Sequence, residues 1–163
     1  RLAWFKVYYP REFYATYFTS VAADFDADVI LQGKEAILRR IDAVNAMGDN
    51  ASPKDKAEVL VFEVAYEMYA RGYKFRWPRL GASKALKFWT EDGDILLPFT
   101  ALDGVGATAA EALEDSYGKK PFATIEDAVN RAKLNKISVA ALRSRGVFDG
   151  LPEADQISFF SMM

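Results

Sequence analysis

Cysteine and histidine are both absent from this sequence of 163 residues. Without thiols there is no disulfide, thiolate nucleophile or iron–sulfur cluster, and without either residue type there is no Cys/His zinc site. Ser-His-Asp and Cys-His catalysis are excluded as well, which leaves Asp, Glu, Lys and Tyr as possible acids and bases. Long apolar runs are also missing. Val59-Leu60-Val61-Phe62 is interrupted by Glu63, far short of a membrane span, so no membrane partner is expected. Lys6, Arg11 and Glu12 break any signal-peptide layout at the N-terminus. Neither charge sign is in large surplus. The 21 basic residues nearly balance the 23 acidic ones at a net −2, which on global charge argues mildly against a nucleic-acid partner. The lack of cysteine is compatible with a cytoplasmic home.

What is present is core material. Hydrophobic residues make up 51% and aromatics 14%, enough for a packed fold and too much for a disordered chain. The length suits one domain or two small ones. Trp4, Phe5, Tyr8, Tyr9, Phe13, Tyr14, Tyr17 and Phe18 crowd the first twenty residues around Pro10. A proline keeps its predecessor out of the α region, so one helix should end near Tyr9 and another begin at Pro10. Aromatics on all sides predict burial of this stretch. The chain opens on arginine inside a helical pattern and reads as a fragment of something longer.

Ile37, Ile41 and Val44 predict a helix over about Lys34–Met47, closed by Gly48-Asp49-Asn50. Ser52-Pro53 followed by Asp55 is a capping-box start for the next helix. Its apolar stripe is expected to be Ala57, Leu60, Val61, Val64, Ala65 and Met68, with a stop at Arg71-Gly72. Phe75–Leu80, Leu86–Thr90 and Ile95–Leu97 predict short strands, the last two joined by a turn at Asp92-Gly93. Thr124-Ile125-Glu126-Asp127 opens a later helix, and another spans about Ile137–Arg145. The fold class is therefore mainly α with a small β segment.

Three constellations invite a chemical reading. Asp24, Asp26 and Asp28 fall at alternate positions of a calcium-type loop, with Glu35 at the twelfth, but Val29 stands where the sharp turn needs glycine. Capping and charging a helix N-terminus is the preferred role for these aspartates. The stretch Met68–Thr90 holds Arg71, Lys74, Arg76, Arg79, Lys84 and Lys87 with no acidic residue. Its aromatics are expected to be core on one sheet face, with the cations available to phosphates.

The third constellation, Leu102-Asp103-Gly104-Val105-Gly106-Ala107-Thr108-Ala109-Ala110-Glu111-Ala112-Leu113, is the most informative. It fits h-x-G-h-G-x-x-x-A-x-x-h, where h is apolar. Two glycines permit a tight hairpin, Val105 anchors it inward, and a helix starts directly after it. Free backbone amides at that helix start suit an anionic phosphate. This is a helix-hairpin-helix signature for sequence-independent duplex binding. It assigns phosphate contact to Gly104, Val105 and Gly106, with Thr108 in the first turn of the helix. Lys119, Lys120, Lys133 and Lys136 are the expected helping cations. A weaker second copy runs from Phe122 to Phe148, turning at Leu134-Asn135-Lys136-Ile137-Ser138 without paired glycines. The terminal Gln156-Ile157-Ser158-Phe159-Phe160 has the form of a short peptide that docks in a partner's apolar pocket.

In their order, these segments resemble bacterial C-family replicative DNA polymerases, most of all the PolC-type DNA polymerase III alpha subunit. The resemblance begins at Leu2-Ala3-Trp4-Phe5-Lys6-Val7-Tyr8-Tyr9-Pro10-Arg11-Glu12-Phe13-Tyr14-Ala15, which is similar to a late fingers segment. It continues through Asp24-Phe25-Asp26, Lys56–Gly72, Leu97-Pro98-Phe99, the glycine hairpin and Pro121-Phe122 to the final pentapeptide. It implies a helical fingers segment over 1–74, a small β segment over 75–97, tandem helix-hairpin-helix motifs over 98–150 and a clamp-binding tail over 151–163. The implied parent copies DNA by nucleotidyl transfer with Mg2+, on palm carboxylates outside these residues, so no cofactor is expected here. The implied partners are duplex primer–template DNA, the beta sliding clamp (through Gln156, Ile157, Ser158, Phe159 and Phe160) and the rest of the polymerase chain, in a bacterial cytoplasmic replisome. Asp103, Lys84 and Phe159 depart from that pattern. A stand-alone helix-hairpin-helix module of a repair or recombination protein is the alternative.

Overall fold

The computed structural model describes residues 2–155, and the chain divides into two compact units. One unit comprises 1–76 with 88–96, and the other 77–87 with 97–163. The segment 75–97, expected from the resemblance as a small β segment, is shared between the two units.

In the first unit, α1 (Leu2–Tyr8) and α2 (Pro10–Ser20) break at Tyr9, whose φ of −133° and ψ of 61° lie outside the helical region, as its following proline demands. The expected burial of the aromatic stretch holds only for α2. Tyr14, Ala15 and Phe18 are buried, whereas α1 buries no residue and leaves Trp4 57% and Tyr8 64% exposed. A short α3 (Ala27–Ile30) leads to α4 (Lys34–Met47) and α5 (Pro53–Ala70). Both limbs of the capping box at Ser52 and Asp55 form, so the start of α5 follows the sequence signal. Its buried stripe differs from the expected one. Val61, Phe62, Ala65 and Met68 face the core, while Leu60 stands 62% exposed. Leu60 and Phe62 are two residues apart and so point to opposite sides of the helix; both are apolar, and the larger ring takes the interior.

The strands are shorter than the sequence suggests: β1 (Phe75–Arg76), β2 (Trp89–Glu91) and β3 (Asp94–Leu96), in the order β1-β3-β2. β1 runs parallel to β3, and β2 pairs antiparallel with it. Asp92 and Gly93 both have positive φ, 50° and 87°, as a tight two-residue hairpin requires. Phe18, Phe25, Phe75 and Phe88 form a cluster, mostly edge-to-face, with ring centroids of the contacting pairs 4.8 to 5.8 Å apart. Tyr69 closes it, its hydroxyl donating to the Ile30 carbonyl at 2.8 Å, and burial pushes its pKa up to about 12.

The second unit carries α6 (Ala107–Lys119), α7 (Ile125–Ala132) and α8 (Lys136–Ser144). Leu102, Val105, Ala110, Leu113, Leu134 and Leu142 belong to one buried cluster, so the hairpins and helices share a core. Replacing Phe18, which is fully buried, should test the first unit's core. We expect Phe18→Ala to cost about 3–5 kcal/mol in denaturant unfolding, and a loss under 1 kcal/mol would contradict this account of the cluster.

Candidate nucleic-acid interface

The turn Leu102–Val105 is closed by the Val105 amide, which donates to the Leu102 carbonyl at 3.1 Å. Gly104 holds φ at +95°. Its place is doubly restrictive, because a Cβ there would lie 2.8 Å from Ile137 Cγ2. Only glycine meets both conditions. Val105 points inward, 4% exposed. Its amide is therefore spent inside the turn, which corrects the expectation that Gly104, Val105 and Gly106 all offer free donors. The open amides lie one step further on. Gly106 is the N-cap of α6 without a side chain to cap it, and Ala107, Thr108 and Ala109 precede the first intrahelical bond, Ala110 to the Gly106 carbonyl at 2.9 Å. Gly106, Ala107 and Thr108 are exposed, and a Cβ on Gly106 would touch nothing within 4 Å.

The second hairpin shares part of this geometry with different side chains. Lys133 takes the left-handed conformation at φ 53°, Leu134 is buried, and Asn135 caps α8 at φ −86° and ψ 172°, close to the −78° and 172° of Gly106. The weaker copy seen in the sequence thus shares the helix-start conformation, but its turn is closed differently, by the Leu134 amide donating to the Val129 carbonyl at 3.1 Å. Its amides are less available, because Asn135 Oδ1 accepts from the Ser138 amide at 2.8 Å. The helix start of the second hairpin touches the first. Ser138 Oγ donates to the Gly104 carbonyl at 2.8 Å, beside the Ile137 methyl that excludes a Cβ. Ser138 is buried, and the sequence marks it only as part of a turn, with no functional role. A serine three places after an N-cap carries no signal of so distant a partner.

The candidate cations separate into two groups. Lys133 and Lys136 are exposed at the second hairpin, with no ion-pair partner among the described residues. Lys119 and Lys120 lie at the other end of α6, about 20 Å of helix rise from Gly106. They do not converge with the amides. At that end Arg131 donates to the Ser116 and Lys120 carbonyls and pairs with Asp127 at 3.2 Å, so the guanidinium closes the C-terminus of α6. Arg143 is likewise engaged, by both carboxylate oxygens of Glu153. The cations of 68–90 are less available than expected. Arg76 pairs with Asp94 at 2.7 Å and with Glu91 at 3.3 Å, and Lys84 approaches Glu114 at 3.8 Å.

The aspartates near residue 26 resolve into a cap: Asp26 Oδ1 accepts from the Val29 amide at 3.1 Å. Among the described residues no group of three or more carboxylates converges as a metal site, and no helix is long and apolar enough to cross a membrane. Gln156, Ile157, Ser158, Phe159 and Phe160 lie outside the described residues. The chain just before them is fixed. The Ile125 and Glu126 amides donate to the Pro152 and Glu153 carbonyls at 2.9 and 3.0 Å, so this strap covers the first turn of α7.

The strap should respond to acid. Hydrogen bonding and charge from Arg143 hold the Glu153 carboxyl below its ordinary 4.5. A depressed folded-state value means the contact is complete above 4.5 and is lost as the pH falls through the lower folded value. The protection factors of the Ile125 and Glu126 amides, taken against intrinsic exchange at each pH, should fall in that acidic window, and Glu153→Gln should lower them already at neutral pH. Equal protection in the variant and the parent at pH 7 would contradict this.

A helix-hairpin-helix motif model matches residues 72–156. Across 160 residues, the chain is 46% identical to the PolC-type DNA polymerase III of Caldanaerobacter subterraneus, covering 98% of this chain and 11% of that protein. The PolC-type enzymes of Clostridium perfringens and Thermotoga maritima match at 41% and 42% identity over 98% of the chain, which covers 11% and 12% of their lengths. The chain thus spans about a tenth of the relatives it matches, and the similarity includes the helices ahead of the hairpins, which a free-standing repair module has no need to share. The chain therefore belongs to the helix-hairpin-helix family, and over nearly its whole length it is homologous to a region of PolC-type DNA polymerase III.

Proposed function

We propose that this chain is the C-terminal region of a bacterial, cytoplasmic replicative DNA polymerase, and that it holds the duplex behind the primer end without regard to sequence. The observation that carries this reading is the row of uncapped amides at Gly106, Ala107 and Thr108, all exposed residues, at the start of a 13-residue helix. Such amides and the helix dipole favour a phosphate oxygen. Lys133 and Lys136 add charge from the neighbouring hairpin, and Thr108 offers a hydroxyl. Lys119 and Lys120 would meet the phosphate rail only at a separate point. Contacts of this kind position a duplex and carry no base information.

The names of the relatives support a parent that polymerises DNA. The Mg2+ implied for that reaction does not fit the residues here, since no carboxylate cluster forms among the described ones. In this proposal the metal belongs to the parent's remaining chain. Gln156–Phe160, whose residue types suit an apolar pocket, is proposed as the tether to the sliding clamp. A tether raises the local concentration of DNA at the hairpins, so modest contacts suffice for continuous synthesis.

Ala107→Pro gives a direct test. Proline is favoured at the first helical position, so the substitution removes one donor while preserving the helix. We expect duplex affinity to fall roughly tenfold, as for loss of a hydrogen bond to a charged group, with the melting temperature unchanged or raised. Gly106→Val should also weaken binding by obstruction, since its side chain meets no protein atom. Undiminished binding by both folded variants in fluorescence anisotropy would sink the amide reading. Gly104→Val is unsuitable as a probe, because it strains φ and collides with Ile137. Deleting 156–160 should abolish capture on immobilised clamp and leave duplex affinity intact, and clamp capture that survives the deletion would refute the tether.

A further inference from the structure

The Gly104–Val105 peptide is held from both sides. Its N–H donates to Leu102 within the turn, and its C=O accepts from Ser138 Oγ, from the second hairpin. Ser138 is 2% exposed and is itself fixed, since its amide is taken by Asn135 Oδ1. The result is a short relay, from the Asn135 cap to Ser138 and from Ser138 to the Gly104 carbonyl. The peptide next along the chain is Val105–Gly106, and it presents the first of the exposed amides. A peptide plane has only two soft dihedrals at each flanking residue, so a carbonyl fixed in direction limits the rotation of its neighbours. Glycine at 104 makes this limit necessary, because a residue without Cβ imposes the least restriction of its own.

We propose that Ser138 is a positioning residue for phosphate binding, which locks the first hairpin so that the amides of Gly106, Ala107 and Thr108 are aimed before DNA arrives. This rests on the duplex-binding reading above. Ser138 touches no DNA itself. Its work is to lower the ordering cost of binding, because a donor row that is already aimed loses little freedom when the phosphate arrives. The second hairpin then serves the first mechanically, in addition to any contact its own lysines make.

The test measures duplex dissociation constants across a salt series for the full 163-residue chain and for Ser138→Ala and Ser138→Thr, alongside melting temperatures. Ser138→Ala should weaken binding about five- to tenfold with an unchanged slope of log affinity against log salt, because no phosphate-neutralising cation is removed. Ser138→Thr, which keeps the hydroxyl, should restore at least half of the lost affinity on the logarithmic scale. A purely structural role would instead lower the melting temperature in proportion and leave the affinity of the folded fraction unchanged. Should Ser138→Ala unfold, Ser138→Cys keeps the volume while weakening the donor, and it should show the same loss of affinity. Wild-type affinity in a folded Ala or Cys variant overturns the lock and leaves duplex binding standing. Absence of duplex binding by the unsubstituted chain overturns both.

Discussion

Everything in the second unit turns on how closely the backbone at Gly104 approaches the start of α8. A single added carbon there would sit 2.8 Å from the Ile137 methyl, so any other residue would have to displace that side chain. The same glycine carries a positive φ, which lets the chain reverse within Leu102–Val105 and send Val105 into the core. The reversal in turn decides where α6 begins, and hence which amides remain open. Turn, anchor and helix start are three consequences of one tight contact between two hairpins.

The electrostatics follow a similar economy. A chain of net charge −2 has no general field with which to attract DNA, and several of its cations are consumed internally. Arg76 ties the β2–β3 turn to its strand neighbours, Arg131 closes the end of α6, and Arg143 fastens the strap. Guanidinium groups suit such work, since their planar fork of donors satisfies carboxylates and carbonyls together. Lys133 and Lys136, compact and flexible point charges, remain in solvent beside the second hairpin. Recognition by backbone amides needs few cations, and that is consistent with a duplex-binding role for a nearly neutral chain.

The first unit is organised by rings rather than by hydrogen-bonded strands. Its sheet is only two or three residues wide along each strand, too little to stand alone, and the cluster of Phe18, Phe25, Phe75 and Phe88 packs it onto the helices. In contrast, α1 lays an aromatic face into solvent, with Trp4 and Tyr8 more than half exposed.

The sequence by itself determined the local events. The break at Tyr9-Pro10, the capping box at Ser52, the side-chain cap at Thr124 and the glycine hairpin each depend on residues within a few positions of one another, and all lie where the residue types place them. Such features are legible because φ restriction and capping are short-range physics. Tertiary structure decided the rest. It selected Phe62 over Leu60 for the core, split 75–97 between two units, spent the Val105 amide and set Lys119 and Lys120 far from the hairpin. It also brought Ser138 to Gly104, across 34 residues of chain, where no local rule reaches. Which donors are open and which cations are free are properties of neighbours in space, and a linear pattern holds no record of them.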